Sequence, residues 1–206
     1  SVGVATALNL KAISYFSLKD YNKAEQIYND LQIRYTKNKD IKGLASVNNY
    51  LGNIELVKKK YGQALEYFVE SYKLNSQIQN KQGQALALIY MGLSNHYLAN
   101  RKEADDKMLE GYTIAKEIGD NEVLLHTHKN YSTIYSDRGD YKKAWEHQKE
   151  YADYVIKKNQ YETQERIATL HINNELEKQQ ATNQKLNQKV SQTTESLKEV
   201  IGNSFK

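Results

Sequence analysis

Apolar residues recur at helical spacing along the first 160 residues, in short runs that polar breaks separate. Leu51 and Ile54 belong to one such run, and Leu65 and Phe68 belong to the next. Spacings of three or four residues place apolar side chains on one face of a helix. The lysines at 58–60 separate the two runs. The pattern therefore predicts a helix, a tight turn and a second helix.

This two-helix pattern repeats every 40 residues without an insertion, in the blocks 1–40, 41–80, 81–120 and 121–160. One position of the block is small: Ala12, Gly52, Gly92 and Ser132. A second is alanine throughout: Ala24, Ala64, Ala104 and Ala144. A third carries Tyr28, Phe68, Met108 and Gln148. Small residues allow two helices to approach closely while large ones fill the space beside the contact, so each block is expected to form a packed hairpin.

The segment Tyr50-Leu51-Gly52-Asn53, followed by Tyr61 and Ala64, resembles the tetratricopeptide repeat signature. The usual unit of that family is about 34 residues. The longer unit here resembles the long-helix variety found in Rap-type bacterial peptide receptors, in kinesin light chains and in the N-terminal sensor regions of bacterial signalling proteins. The resemblance implies an all-α, right-handed solenoid of four hairpins in residues 1–160. Lys11, Glu55, Asn95 and Arg101 depart from the family pattern.

The repeat stops after Gln160, and residues 161–206 are predicted to form a ninth, long helix that caps the last hairpin and acts as a linker. Its apolar residues give a weak heptad pattern, which favours a homodimeric coiled coil through residues 172–200. The alternative is that the stripe folds back onto its own chain. The two core columns of the heptad are Ile172, Gln179, Leu186, Thr193 and Val200, and Leu176, Asn183, Val190 and Leu197.

Composition narrows the class of protein. The chain has no Pro and no Cys, so nothing forbids long helices and no thiolate metal site can form. The net charge of +4 is spread along the chain, which argues against direct nucleic-acid binding. No signal peptide or membrane span is recognisable, so a cytoplasmic location is predicted, with the periplasm left open. The start at Ser1 suggests a fragment or a processed product.

The sequence predicts no catalytic residue, no metal site and no cofactor, and hence no enzyme. His126 and His128 are two residues apart, so on a helix they point in nearly opposite directions and cannot share a metal. No glycine-rich phosphate loop or nucleophile motif occurs.

The candidate binding residues come from the resemblance, because the first helix of each tetratricopeptide hairpin lines the concave groove. Asn49 and Asn53 lie four residues apart on one helix face, and their amides could hold the backbone of an extended peptide. Equally, they could be solvated polar residues. A carboxylate clamp of the chaperone-binding kind is not expected, since only Asn53 matches it. The predicted peptide-binding residues are Asn9, Asn49, Asn53, Tyr90, His96, Tyr97, His126, Lys129, Asn130 and Asp137.

These features together predict a protein or peptide interaction module of a bacterial signalling protein. A polypeptide would bind in the concave groove, and the C-terminal helix would pass the signal to an output domain. Two alternatives stay open at this point: a freestanding Rap-like adaptor that a peptide regulates, and a structural scaffold without a regulated ligand.

Overall fold

The computed structural model describes the backbone of residues 2–204 and the side chains of residues 3–195. This part of the chain is all-α and contains no strand. Consecutive helices pack against each other in sequence, as in a solenoid. The helices are α1 (Val2–Ser17), α2 (Tyr21–Asn38), α3 (Ile41–Val57), α4 (Tyr61–Gln77), α5 (Lys81–Tyr97), α6 (Arg101–Ile118), α7 (Asn121–Asp137) and α8 (Tyr141–Ser204).

The helix boundaries recur every 20 residues because the turn chemistry recurs. In each of the seven turns between helices, one residue adopts a left-handed backbone conformation. Glycine, which adopts this conformation without strain, occupies the position only in the last two turns. An Asp or Asn one residue later caps most of the following helices; the Asp40 carboxylate, for example, accepts a hydrogen bond from the Gly43 N–H at 2.8 Å. Asp20 and Asp140 cap α2 and α8 in the same way.

The core consists of the close helix crossings that the repeat predicts. The four alanines of the invariant position are all buried. Gly52 lies so close to Phe68 that a Cβ atom on it would stand 2.7 Å from the ring carbon Cε1. Tyr28, Phe68 and Met108 are completely buried, whereas the fourth member of their column, Gln148, is exposed. The last block is therefore the least tightly packed of the four in this column.

The separate ninth helix predicted for residues 161–206 is not observed within the described residues. Instead, α8 runs without a break from Tyr141 to Ser204. The physical reason is that no Gly or Pro occurs between Tyr141 and Gly202, so nothing ends the helix where the repeat stops. The second helix of the fourth hairpin and the tail are thus one element.

Two compact units divide the chain, Ser1–Val155 and Ile156–Lys206. The first contains the four hairpins. In the second, every described side chain is exposed, including the heptad residues Ile172, Leu186 and Val190. Leu197 and Val200 lie outside the described side chains. No described helix is both long and apolar enough to cross a membrane.

Candidate functional site

A cleft of about 250 Å³ runs across the first helices of the second, third and fourth blocks. Its walls come from α3, α5 and α7, with part of its floor from α4. Most of the lining residues are polar, and both signs of charge are present. The lining residues are Lys42, Ala45, Ser46, Asn49, Tyr50, Ser71, Asn75, Asn80, Gln82, Gly83, Leu86, Glu122, Val123 and His126.

Two columns of the repeat build the cleft. The second residue of each block contributes Lys42, Gln82 and Glu122, and the sixth contributes Ser46, Leu86 and His126. Of these, only His126 is among the residues predicted from the sequence. The 40-residue register could have found the others, because positions 2 and 6 lie one helical turn apart and thus on one face.

Hydrogen bonds fix the floor of the cleft. The Ser71 hydroxyl donates to the backbone carbonyl of Ala45 at 2.9 Å, which ties α4 to α3. The Asn80 amide donates to the side-chain oxygen of Asn75 at 2.8 Å, which ties the start of α5 to the end of α4. A Cβ atom on Gly83 would overlap the Asn75 amide, so Gly83 is required for this close approach. The cleft is therefore preformed by the fold.

Asn49 is the predicted residue whose surroundings most resemble a binding site. Its side-chain oxygen Oδ1 is shielded from solvent and has no hydrogen-bond partner among the described residues. A buried acceptor without a donor costs roughly 1–3 kcal/mol. The neighbouring Asn53 is engaged differently, because its amide donates to the Asn49 backbone carbonyl at 2.8 Å. Of this pair, Asn49 retains an unmet hydrogen-bonding capacity at the cleft.

Tyr90 lies outside the cleft lining but contacts His126, which belongs to that lining. The Tyr90 hydroxyl lies 3.0 Å from Nδ1 of His126. The Tyr90 ring stacks on Phe68 with centroids 5.1 Å apart. Burial, together with the charge of Glu122, raises the pKa of the Tyr90 phenol above its ordinary value. Tyr90 therefore stays neutral and holds His126 in position.

Like Asn53 and Tyr90, the other predicted residues lie outside the cleft lining. His96 Nε2 lies 3.0 Å from an Asp137 carboxylate oxygen, which links α5 to the end of α7. The Tyr97 ring stacks on Tyr61 at 4.6 Å. Asn9 is half-buried in α1 and Lys129 is exposed on α7.

Asn130 is a buried polar residue rather than a groove-lining one. It is only 5% exposed, and its amide nitrogen has no hydrogen-bond partner among the described residues. In the 40-residue register it occupies the position of Tyr50 and Tyr90, whose rings stack on Tyr28 and Phe68. The sequence did not indicate this burial, because Asn is usually exposed.

A second polar cluster lies where α7 meets the beginning of α8. Nδ1 of His128 lies 3.0 Å from Nδ1 of His147, so one imidazole must donate and the other accept. The His147 ring stacks on Tyr131 with centroids 4.7 Å apart, and His128 stacks on Tyr154 at 5.7 Å. Burial lowers the pKa of both imidazoles below the ordinary value of 6.5. Neutral imidazoles therefore hold the two helices together.

We expect this pair to make the fold sensitive to mild acid. The folded pKa values lie below the unfolded value, so stability is fully present above pH of about 6.5 and is lost as pH falls through the folded pKa values. When both His128 and His147 are replaced by Phe, the free energy of unfolding measured in urea should depend less on pH between about 5 and 7.

Charged residues near His128 and His147 also shift the pKa values of the two imidazoles. Glu150 of α8 raises the pKa values of both imidazoles and Glu146 raises that of His147, whereas Lys116 of α6 lowers the pKa of His128. The exposed His171 serves as the control, and its replacement by Gln should leave the pH dependence unchanged. An equal loss of stability in acid for the wild type and the Phe variant would contradict the assignment.

The described residues contain no group of three His, Asp or Glu side chains placed to hold a metal ion. His126 contacts Tyr90 while His128 contacts His147. The two imidazoles thus point to different neighbours, in keeping with their spacing on one helix.

Many solved structures share the fold, including the following three. BtubC (BKLC) from P. vanneervenii has a TM-score of 0.59 at 18% identity, covering 75% of this chain and 64% of its own. The second is a signal transduction ATPase with numerous domains, from Pyrococcus horikoshii, which has a tetratricopeptide repeat sensor. Its TM-score is 0.58 at 19% identity, and the match covers 77% of this chain and 25% of the ATPase chain. Aspartyl phosphate phosphatase F from Bacillus subtilis has a TM-score of 0.55 at 18% identity, and the match covers 77% of this chain and 42% of the phosphatase chain.

At these identities the likeness concerns the fold alone, and the chain spans less than two thirds of each of the three proteins. No curated protein matches the chain. Stacked helical repeats of this kind generally present their surfaces to protein partners.

A family model described as anaphase-promoting complex subunit 5 matches residues 47–138 and 130–201. These two segments cover most of the second hairpin, the third and fourth hairpins, and most of the tail. The eight helices and their 40-residue period confirm the resemblance to tetratricopeptide repeats that the sequence indicated. The two matched segments together extend over more than half of this chain. The chain therefore belongs to the anaphase-promoting complex subunit 5 family of tetratricopeptide-like repeat proteins.

Proposed function

We propose that the cleft across α3, α5 and α7 binds an extended segment of another polypeptide. The observation that carries this proposal is the Asn49 oxygen, a buried acceptor without a donor at a preformed polar cleft. A backbone N–H of a bound peptide would supply the missing hydrogen bond after a small rotation of the Asn49 side chain. Neighbouring Ser46 and His126 offer further polar contacts along the same face.

The charges of the cleft favour one orientation of the ligand. Lys42 belongs to the second block and Glu122 to the fourth, with the neutral Gln82 in the block between them. A segment that crosses the three blocks would therefore place an acidic side chain toward Lys42 and a basic one toward Glu122. Complementary charges of this kind contribute more to specificity and association rate than to affinity.

The regulatory part of the proposal rests on the tail. The similar ATPase from Pyrococcus horikoshii carries its tetratricopeptide repeats as a sensor. We infer a sensor or adaptor role in a signalling protein here as well, with α8 transmitting the signal, because this helix extends from the fourth hairpin into the tail without a break.

Selection from a displayed peptide library tests whether the cleft binds a polypeptide. Peptides selected on the wild type should lose about tenfold or more in affinity for a variant with Asn49→Ala and His126→Ala, since each lost hydrogen bond contributes about 1 kcal/mol. Exchanging the charges with Lys42→Glu and Glu122→Lys should select peptides of reversed polarity. Binding is measured by titration calorimetry, and the melting temperature of each variant checks its folding.

The control is Lys102→Ala, because the Lys102 side chain is 84% exposed on α6, outside the cleft. It should bind the selected peptides as the wild type does. If the double variant also binds them unchanged while it remains folded, the cleft is not the ligand site.

We further propose that the tail forms a homodimer through residues 172–200. The apolar residues Ile172, Leu186 and Val190 are each more than half exposed in the single chain. A helix with an exposed apolar stripe is poorly stable alone in water and gains from burying that stripe against a second copy.

Sedimentation equilibrium distinguishes the dimer from a tail that folds onto its own chain. The wild type should show a concentration-dependent dimer, and Leu186→Asp with Val190→Asp should be monomeric. Gln184→Asp with Gln188→Asp provides the matched control, since these residues lie outside the stripe but introduce the same charge. A monomeric wild type would exclude the coiled coil.

A further inference from the structure

The open end of the repeat stack carries two exposed aromatic side chains. Tyr141 and Trp145 lie in the first turns of α8, with 73% and 65% of their surface exposed. Trp145 is the only tryptophan of the chain. In the earlier blocks, the next hairpin packs on the corresponding helix. In the fourth block α8 continues as a single helix to Ser204, so among the described residues no further hairpin packs on it.

The stacking of successive hairpins follows a fixed register. Lys58 Nζ lies 2.6 Å from a carboxylate oxygen of Glu25, which joins the first block to the second. Arg138 Nη1 lies 2.7 Å from a carboxylate oxygen of Asp105, which joins the third block to the fourth. In both pairs the basic residue lies 33 positions after the acidic one. The 25th residue of a block therefore faces the 18th residue of the next block.

At the junction between the second and third blocks, apolar residues occupy the corresponding positions. Leu65 stands at the position of Glu25, and the register assigns Leu98 to it. Leu65 packs against a buried cluster that contains Phe68. Beside it, the ring of Tyr61 stacks on Tyr97 with centroids 4.6 Å apart. At the end of α5, the aromatic Tyr97 thus corresponds to Tyr61 and the aliphatic Leu98 that follows it corresponds to Leu65.

The fourth block repeats this apolar pattern rather than the charged one. Tyr141 stands at the position of Tyr61, and Trp145 stands at the position of Leu65. The register assigns Lys178 to Trp145, but Lys178 belongs to the same continuous helix. The repeat register therefore supplies no partner for this face from within α8.

We propose that Tyr141 and Trp145 form a docking surface for an amphipathic α-helix of a partner protein, which occupies the place of the first helix of a fifth hairpin. By continuity with the junction at Tyr61 and Leu65, the docking helix ends in an aromatic residue followed by an aliphatic one. The first helix of a second copy matches this pattern less well. It offers Leu18 opposite Trp145 but Ser17 opposite Tyr141, so the tyrosine ring would lack its aromatic partner.

The fluorescence of Trp145 in the full chain provides the test, with synthetic peptides as the probe. A peptide with the sequence of residues 81–100, which contains Tyr97 and Leu98, should shift the tryptophan emission to the blue and saturate. The same peptide with Tyr97→Ala and Leu98→Ala should bind at least about tenfold more weakly, as expected for the loss of two anchor residues. A peptide with the sequence of residues 41–60, which presents Val57 and Lys58 instead, should produce no shift.

Variants of the protein complete the test. Tyr141→Ala should weaken binding of the 81–100 peptide, whereas Asn49→Ala with His126→Ala should leave it unchanged, so that failure here is distinguishable from failure of the groove. The absence of a shift, or equal affinity for all three peptides, would overturn the proposal. So would a blue-shifted emission before any peptide is added. If that emission depends on protein concentration and is lost with Leu18→Glu, the occupant is a second copy instead.

Discussion

Replacing Phe68 by Ala is expected to lower the free energy of unfolding by about 3–5 kcal/mol, the usual range for removing a large aromatic side chain from a core. Phe68 is completely buried, lies against Gly52 on α3 and stacks on Tyr90 of α5. It therefore contributes to the packing within the second block and to the junction with the third. Urea unfolding followed by circular dichroism measures the loss.

The repeat itself provides the matched control. Gln148 occupies the same position of the fourth block but is exposed, so Gln148→Ala should change stability by no more than about 0.5 kcal/mol. Similar losses at the two positions would mean that the column does not form a common core. That result would contradict the packing derived from the 40-residue register.

Replacing Gly52 by Leu is expected to destabilise the fold by about 1–3 kcal/mol through overpacking. A Cβ atom at this position would already stand 2.7 Å from the Phe68 ring, and the ring is enclosed on all sides and cannot move away cheaply. The remaining atoms of a leucine would force α3 and α4 apart. The midpoint of thermal unfolding should fall accordingly.

Gly62 serves as the control, because a Cβ atom there meets nothing within 4 Å. Gly62→Leu should leave stability unchanged or raise it by up to about 1 kcal/mol, since leucine favours the helix more than glycine does. A loss at Gly62 as large as that at Gly52 would show that the effect is general to glycine replacement and does not report the helix crossing.

The hairpins were predictable from the sequence because their packing requires particular sizes at fixed positions. Ala24, Ala64, Ala104 and Ala144 are buried at every crossing, so selection for close approach leaves the same residue in each block. Self-similarity reveals such positions directly. The tail is less predictable from the sequence, because the end of a repeat pattern does not mark the end of a helix. Because no Gly or Pro occurs between Tyr141 and Gly202, the backbone of α8 continues as a helix.

The cleft was harder to predict because its residues share a location but no chemistry. Lys42, Gln82 and Glu122 occupy one column, yet they are positive, neutral and negative. No self-similarity of residue type marks such a column, so its members can be found only through their shared position in the 40-residue register. Asn130 illustrates the converse, since a polar residue type concealed a buried position whose equivalents in two other blocks are tyrosines.

The central claim, that a polypeptide binds across α3, α5 and α7, is tested most directly by amide hydrogen exchange with and without a library-selected peptide. We expect exchange to slow in residues 42–49, 82–86 and 122–126, because the bound segment would exclude water from the first turns of these three helices and reduce their opening. Exchange in α2, α4 and α6 should change little. Protection confined to the second helices of the hairpins, or spread evenly over the four blocks, would contradict binding in the cleft.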